Sequence, residues 1–222
     1  VDDTVNFQVY GNMEPQKAAT EAVRETEGQI LCQNGEAVEA YYFSTSAGVT
    51  STDEIWGSDE AAPYLRSVPC KFDEEVPWSS WIVELPWKML EDRIREKGEG
   101  TVLRSVTVTR RSESGAATAL EAVSDKDSCI IENEYEIRKF LAPVNCMITE
   151  KDGTETAGGS LLPSAYFELE RTQNGNLQVR GKGYGHGVGM SQTGADKMAE
   201  QGYDYREILD YFFRNITVEN LG

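Results

Sequence analysis

Residues 181–192, GKGYGHGVGMSQ, combine the residue types and the spacing that favour chemistry. Glycine stands at every second position from 181 to 189, and His186 is the only histidine of the chain. In an extended strand this alternation leaves one face bare and places Lys182, Tyr184 and His186 together on the other. The segment is therefore the first candidate for a functional site.

The glycine alternation has two explanations. Each glycine inside a strand costs about 0.5–1 kcal/mol relative to alanine, so five of them need a reason. In the structural explanation another backbone or a helix packs flat against the bare face, or the glycines adopt positive φ in a bend. In the functional explanation the bare face is a floor along which an extended polymer or a loop approaches closely. The pattern alone leaves both open.

A helix, SQTGADKMAEQG, is predicted directly after this segment, with Ser191 or Thr193 as its N-cap and Gly202 as its stop. Its first N–H groups would point toward whatever His186 faces. Together with a neutral imidazole, Ser191 and Gln192 would bind hydroxyls and amides better than a strongly charged group. A purely structural hydrogen-bonding role for His186 is the alternative.

The composition excludes several classes of partner. The 222 residues include 38 acidic against 21 basic side chains, and the formal net charge is −17. Such a chain repels nucleic acid and anionic membrane surfaces. No apolar run approaches the roughly 18–20 residues of a membrane span. We therefore expect no nucleic-acid partner, and a membrane link only through an N-terminal anchor preceding this sequence.

The four cysteines favour neither a metal site nor a disulfide framework. They form no C-x-x-C pair, and one histidine does not complete the usual zinc patterns. A Cys129–Cys146 disulfide is an alternative, but four inert thiols are favoured. We predict no metal and no cofactor.

Hairpins alternate with separate helices, which predicts an α+β fold with mixed, mostly antiparallel strands. Helices are predicted over 14–27, 85–100, 133–142, 191–202 and 204–215. Asn133 with Glu136, and Asp204 with Glu207, are the predicted caps of the third and the last of them. Hairpins are predicted over 29–46, 101–124 and 161–187, with turns at Asn34-Gly35, Ser114-Gly115 and Asn174-Gly175. Residues 47–80 are predicted to be irregular.

Several blocks of the chain together resemble one known family. Residues 181–213 are similar to the C-terminal signature of the SpoIID/LytB family, whose type member is stage II sporulation protein D. Further blocks follow in the family's order: FQVYGN (7–12), AVRETEGQIL (22–31), AYYFSTSAGVTST (40–52), PYLRSV (63–68) and LLPSAYF (161–167). The resemblance implies a single domain over 1–222 that lacks its N-terminal part, with about 75–160 as a possible subdomain or insertion.

The activity implied by this resemblance is that of a peptidoglycan lytic transglycosylase. Such an enzyme cleaves MurNAc–GlcNAc bonds of peptide-free glycan strands to 1,6-anhydro ends, here in sporulation engulfment. One glutamate protonates the glycosidic oxygen and then accepts the proton of the muramyl 6-hydroxyl. The alternative is a non-catalytic glycan-binding enhancer of another cell-wall hydrolase. Both imply an extracytoplasmic location, in the cell wall or anchored through a segment not present here.

The family's catalytic glutamate lies in a motif that this chain lacks, and we expect it upstream of Val1. Glu54 is the tempting substitute, but a solvated surface acid is the favoured interpretation of it. A serine hydrolase using Ser191 or Ser44 with His186 is disfavoured, because no G-x-S-x-G motif is present.

The resemblance carries over site residues position by position. The resemblance implies a groove that binds the glycan, with one loop lining it and a cluster of side chains around the sugar. In that cluster His186 would orient or hydrogen-bond a neighbouring group, and the ring of Tyr184 would stack on a sugar. The loop residues are Ser44, Ser46, Gly48 and Thr50, and the cluster residues are Tyr184, His186, Ser191 and Gln192. The implied partners are peptidoglycan glycan strands and other cell-wall hydrolases. Trp56 and Trp78 could stack on sugars, although core packing is favoured for both.

Overall fold

The computed structural model describes residues 14–221, which divide into two compact units. One contains the residues up to Val38 and those from Thr217 onward, and the other is Glu39–Ile216. The FQVYGN block, residues 7–12, lies outside the described residues. The predicted single domain over 1–222 stays a prediction.

The first unit is a helix with a small antiparallel sheet. Its elements are α1 (Lys17–Glu25), β1 (Gln29–Gln33), β2 (Glu36–Ala37) and the last strand of the chain, β13 (Thr217–Asn220). The strand order is β13-β1-β2. Asn34 and Gly35 have φ of 54° and 81°, so the predicted turn is confirmed.

The hairpin predicted over 29–46 is wrong in its second strand. Only Glu36 and Ala37 pair with β1, and the chain is next in a strand at β3 (Tyr42–Phe43), which belongs to the second unit. There β3 pairs in parallel with β12 (Met190–Ser191). An alternating sequence does not tell which strand it pairs with.

The second unit contains the rest of the fold. Its remaining strands are β4 (Trp81–Leu85), β5 (Leu103–Arg111), β6 (Ala117–Ser124), β7 (Ser128–Glu132), β8 (Met147–Glu150), β9 (Glu155–Ala157), β10 (Phe167–Arg171) and β11 (Leu177–Gly181). Its helices are α2 (Trp87–Glu96), α3 (Glu134–Phe140), α4 (Gln192–Glu200) and α5 (Tyr205–Phe212). Three 3₁₀ helices, Asp53–Trp56, Lys71–Asp73 and Pro77–Ser79, lie in the otherwise irregular region 47–80.

Two antiparallel sheets build its core. One has the order β10-β11-β4-β8-β9 and the other β5-β6-β7. In β4 the side chains of Trp81, Val83 and Leu85 are buried while the intervening ones are exposed, so the strand presents one apolar face to the core. These sheets and the separate helices confirm the predicted α+β fold.

The predicted caps are confirmed. Asn133 Oδ1 accepts a hydrogen bond from Glu136 N at 2.9 Å. Asp204 and Glu207 form a capping box at the start of α5, and Ser191 rather than Thr193 caps α4. Each cap satisfies N–H groups that a helix leaves open at its first turn.

Five short strands, β4, β7, β8, β9 and β13, are absent from the predicted elements. Strands β4, β8 and β9 share a sheet with β10 and β11. Residues of the region 75–160 therefore help to build the same sheet that leads into the glycine segment, and the region does not separate as a unit of its own.

Candidate functional site

The glycine segment is a folded loop rather than a strand. Strand β11 ends at Gly181, and the next four alternate glycines have φ between 75° and 112°. A Cβ at Gly189 would lie 2.2 Å from Tyr41 O, and one at Gly183 would lie 2.8 Å from Thr45 O. Here the strand interpretation is wrong, and the bare positions are filled by other parts of this chain: backbone at Gly183 and Gly189, and aromatic side chains at Gly181 and Gly187.

Residues 41–47, which we call the hydroxyl segment, are hydrogen-bonded to the glycine segment, residues 181–192. Thr45 N donates to Tyr184 O at 3.0 Å and Tyr184 N donates back to Thr45 O at 2.7 Å. Met190 N donates to Tyr41 O at 3.0 Å. These backbone bonds hold the two predicted site segments together across more than a hundred residues of sequence.

Both ring nitrogens of His186 are engaged by backbone groups. Val188 N donates to Nδ1 at 3.1 Å, so Nε2 carries the hydrogen and donates to Tyr42 O at 3.1 Å. Burial, with the positive charge of Arg138, lowers the pKa of His186 to about 4. The imidazole is therefore neutral near pH 7 and acts as a hydrogen-bonding brace.

Asp73 is a central residue that sequence reasoning missed. Its Oδ2 accepts hydrogen bonds from Ser46 N at 2.8 Å, Ser191 Oγ at 2.9 Å and Cys70 Sγ at 3.3 Å. Asp73 is 1% exposed, and burial, together with its charge, raises the pKa of Cys70 to about 12. As one of 38 acidic residues it carried no distinguishing signal in the sequence.

The predicted site residues divide into buried and accessible groups. Ser46, Thr50 and Ser191 are buried, so in this structure they position neighbouring groups rather than reach a ligand. Ser44 is half-buried, and its carbonyl accepts from Thr193 N at 2.9 Å. The exposed residues are Gly48, Tyr184 and Gln192.

No serine–histidine pair forms among the predicted residues. Ser191 Oγ donates to Asp73 and also accepts from Gly194 N at 3.1 Å. Because both nitrogens of His186 bond to backbone groups, the imidazole has no free acceptor for a serine proton.

Aromatic rings flank the site in two places. Tyr184 packs edge-on against Trp78 with ring centroids 4.6 Å apart, and its ring remains 41% exposed. Trp56 lies 5.2 Å from the His186 ring and 5.0 Å from Tyr41. Both tryptophans are half-buried, so each combines packing with an accessible edge.

Two open cavities lie in the second unit. The larger, about 610 Å³, is lined by residues that include Glu54, Trp56, Arg110, Glu113 and Glu132. The smaller, about 320 Å³, is lined by residues that include Ser46, Gly48, Asp73, Ser79 and Lys182. The smaller one contains two of the predicted loop residues, so it is the cavity that belongs to the hydroxyl segment.

The described residues 14–221 bring no group of three or more His, Cys, Asp or Glu side chains within reach of one metal ion. All four cysteines, which lie in this range, are free thiols, so the Cys129–Cys146 disulfide is not formed. None of the helices in this range has the length and apolarity to cross a membrane.

Comparison with known proteins identifies relatives over nearly the whole chain. Residues 64–189 match the family described as domain of unknown function DUF8618. The chain is 30% identical to stage II sporulation protein D of Bacillus amyloliquefaciens and to that of Bacillus subtilis, over 98% of this chain and 59% of each relative. It is 24% identical to the amidase enhancer of Bacillus subtilis, over 98% of this chain and 35% of that protein.

The chain thus spans about three-fifths of the two sporulation proteins. The similarity covers the hydroxyl segment, Asp73 and the glycine segment alike, and it confirms the family inferred from the sequence blocks. The chain belongs to the DUF8618 family and, through its homology to stage II sporulation protein D and the amidase enhancer, to the SpoIID/LytB family.

Proposed function

We propose that this chain forms the glycan-binding part of a peptidoglycan lytic transglycosylase that cleaves peptide-free strands to 1,6-anhydro ends. The supporting observation is that the glycine segment and the hydroxyl segment meet at one cavity, with the exposed Tyr184 two residues from the cavity-lining Lys182. The chain is homologous over 98% of its length to stage II sporulation protein D. A sugar face can stack on such a ring while hydroxyls and amides bond to the loops.

His186 has a positioning role in this proposal. Its neutral ring connects the glycine segment to Tyr42 O, and its lowered pKa keeps it uncharged at the working pH. We assign the protonation of the glycosidic oxygen to none of the described residues. Glu54 is exposed and accepts a hydrogen bond from Thr52 Oγ1 at 2.9 Å, as expected of a solvated surface acid rather than of a buried general acid.

The test is to incubate the intact protein with peptide-free glycan strands and to analyse the products by mass spectrometry. We expect products with 1,6-anhydro ends. Products with reducing ends only would contradict a transglycosylase, because water would then have been the acceptor. A His186→Ala variant should cleave more slowly, and an unchanged rate would contradict the positioning role.

A second candidate function is a non-catalytic enhancer that binds wall glycan and assists another cell-wall hydrolase. Two observations favour it: the similarity to the amidase enhancer, and the hydrogen bonds of both His186 nitrogens to backbone groups only. This candidate predicts strand binding without any cleavage, together with faster turnover when a cell-wall amidase is added. Cleavage by the purified protein alone would exclude it.

A further inference from the structure

The smaller cavity contains a buried acceptor without a donor. Asp73 lines this cavity, and its Oδ1 accepts no hydrogen bond from any residue of 14–221, although Oδ2 accepts three. A buried carboxylate oxygen without a donor is unfavourable, because it has lost its hydrogen bonds to water. Its accessible surface is under 1 Å², so a ligand hydroxyl or amide hydrogen reaches it, and satisfies it, only when the wall of the cavity moves.

The same cavity contains an unpaired cation. Lys182 is exposed, and within residues 14–221 no carboxylate lies within ion-pair distance of its ammonium group. The other lysine of the cavity, Lys151, is paired with Glu75 Oε2 at 3.1 Å. In a chain of net charge −17, a free ammonium beside a cavity is a local attraction for an anionic group.

The remaining wall suits a sugar ring. Ser79 and Ser80, in the turn before β4, line the cavity together with Glu74. They follow Trp78, which packs on Tyr184. Lys182 and Tyr184 flank Gly183, whose N–H donates to Trp78 O at 2.9 Å. A volume of about 320 Å³ accommodates one substituted sugar residue.

We propose that this cavity is a subsite for a sugar that carries a carboxylate, with Lys182 pairing with the carboxylate and Asp73 accepting a hydroxyl or amide hydrogen. The proposal rests on the proposed function and specifies the substrate of that site. In wall glycan the carboxylate-bearing sugar is the muramyl residue, and its lactyl carboxylate is free only where no peptide is attached to it. Lys182 would therefore distinguish bare strands from peptide-substituted ones.

The experiment measures binding of the chain to three probes by isothermal titration calorimetry. The probes are peptide-free glycan strands, the same strands with their carboxylates converted to methyl esters, and chitooligosaccharides, which lack the lactyl group. The variant is Lys182→Gln, and the matched control is Lys97→Gln, an exposed lysine at the end of α2 outside the cavity.

We expect Lys182→Gln to bind peptide-free strands about fivefold more weakly, as for the loss of one partly exposed ion pair. Its affinity for the ester and for chitooligosaccharides should equal that of the unmodified chain, and Lys97→Gln should bind all three probes normally. The ratio of the two affinities for peptide-free strands should fall with added salt, because salt screens the Lys182–carboxylate attraction, whereas the repulsion by the net charge is common to both chains.

Equal binding of free and esterified strands by the unmodified chain would overturn the subsite and leave the proposed function standing. An equal loss by Lys182→Gln on all three probes would also overturn it, because the lysine would then act on the sugar ring or the fold. Binding of no probe at all would overturn the proposed function together with the subsite.

Discussion

At the scale of single residues, the site depends on groups that each form hydrogen bonds to more than one neighbour. His186 is hydrogen-bonded to Tyr42 O and Val188 N. Asp73 Oδ2 accepts hydrogen bonds from Ser46 N and Ser191 Oγ. Such groups fix the shape of the loops around them, because breaking any one bond leaves a buried partner unsatisfied. The side chains that a ligand can reach are those of exposed neighbours such as Tyr184 and Lys182.

The lowered pKa of His186 makes stability depend on pH. The ring titrates near 6.5 when unfolded and near 4 when folded, so the unfolded chain binds the extra proton first as pH falls. Stability is therefore lost between about pH 6.5 and pH 4. The full shift corresponds to about 3 kcal/mol, and we expect about 2 kcal/mol because the ring is only partly buried.

The measurement is urea unfolding at pH 7 and at pH 4.5, for the unmodified chain and for His186→Gln. Glutamine keeps a donor and an acceptor but does not titrate. The unmodified chain should lose more stability than the variant between the two pH values. Equal losses would show that His186 is not held neutral by the fold.

Gly189 is the glycine least able to accept a side chain. Its φ is 79°, and a Cβ there would meet Tyr41 O at 2.2 Å. We expect Gly189→Ala to lower the free energy of unfolding by about 3 kcal/mol or more. Gly202→Ala, with φ of 94° and no atom within 4 Å of the added Cβ, should cost only about 1 kcal/mol. Thermal unfolding of both variants checks the difference, and equal losses would contradict backbone packing at Gly189.

At the scale of elements, α4 is attached to the site through its N-cap residue. Ser191 caps the helix through Gly194 N and donates to Asp73 Oδ2, so one side chain couples the helix to the 3₁₀ helix Lys71–Asp73. Helix α5 begins with an exposed cap, Asp204, which bonds only within its own first turn.

These two caps predict unequal mutational costs. Asp204→Ala removes a local cap and should cost about 1 kcal/mol. Ser191→Ala also removes a donor from a buried carboxylate and should cost about 2–3 kcal/mol. Denaturant unfolding measures both values. A cost for Ser191→Ala no larger than that for Asp204→Ala would mean that the bond to Asp73 contributes nothing to stability.

At the scale of the whole molecule, the net charge of −17 is the dominant electrostatic property. The described ion pairs are mostly exposed, and the buried exception is Arg138 with Glu134, at 2.5 Å. Exposed pairs contribute little, so self-repulsion among the excess carboxylates is not offset by them. A glycan with free carboxylates must therefore approach against the overall field, which makes local cations such as Lys182 important.

This repulsion predicts that moderate salt stabilises the chain. Raising NaCl from 20 mM to 150 mM shortens the screening length to about 8 Å, and the unfolding temperature should rise by a few degrees, about 2–4 °C. Differential scanning calorimetry at pH 7 and at the two salt concentrations measures this change in unfolding temperature. A lower unfolding temperature at the higher salt would show that favourable ion pairs outweigh the repulsion.

The sequence by itself determined the features that depend on a residue's own conformational preference or on near neighbours. The Asn34-Gly35 turn, the Asn133 cap and the Asp204 capping box follow from such local preferences. The sequence blocks likewise identified the family, because they preserve residue types in a fixed order.

Only the tertiary structure decided what covers the alternate glycines and which acid lies at the site. Gly183, Gly185 and Gly189 meet residues 41–47, and the other two alternate glycines meet the rings of Trp81 and Tyr166. Asp73 bonds to residues 27 and 118 positions away. The local sequence shows that a glycine lets another segment of the chain come close. It does not show which segment that is. That choice is made by packing between distant segments, and the same packing selects Asp73 from 38 acidic residues.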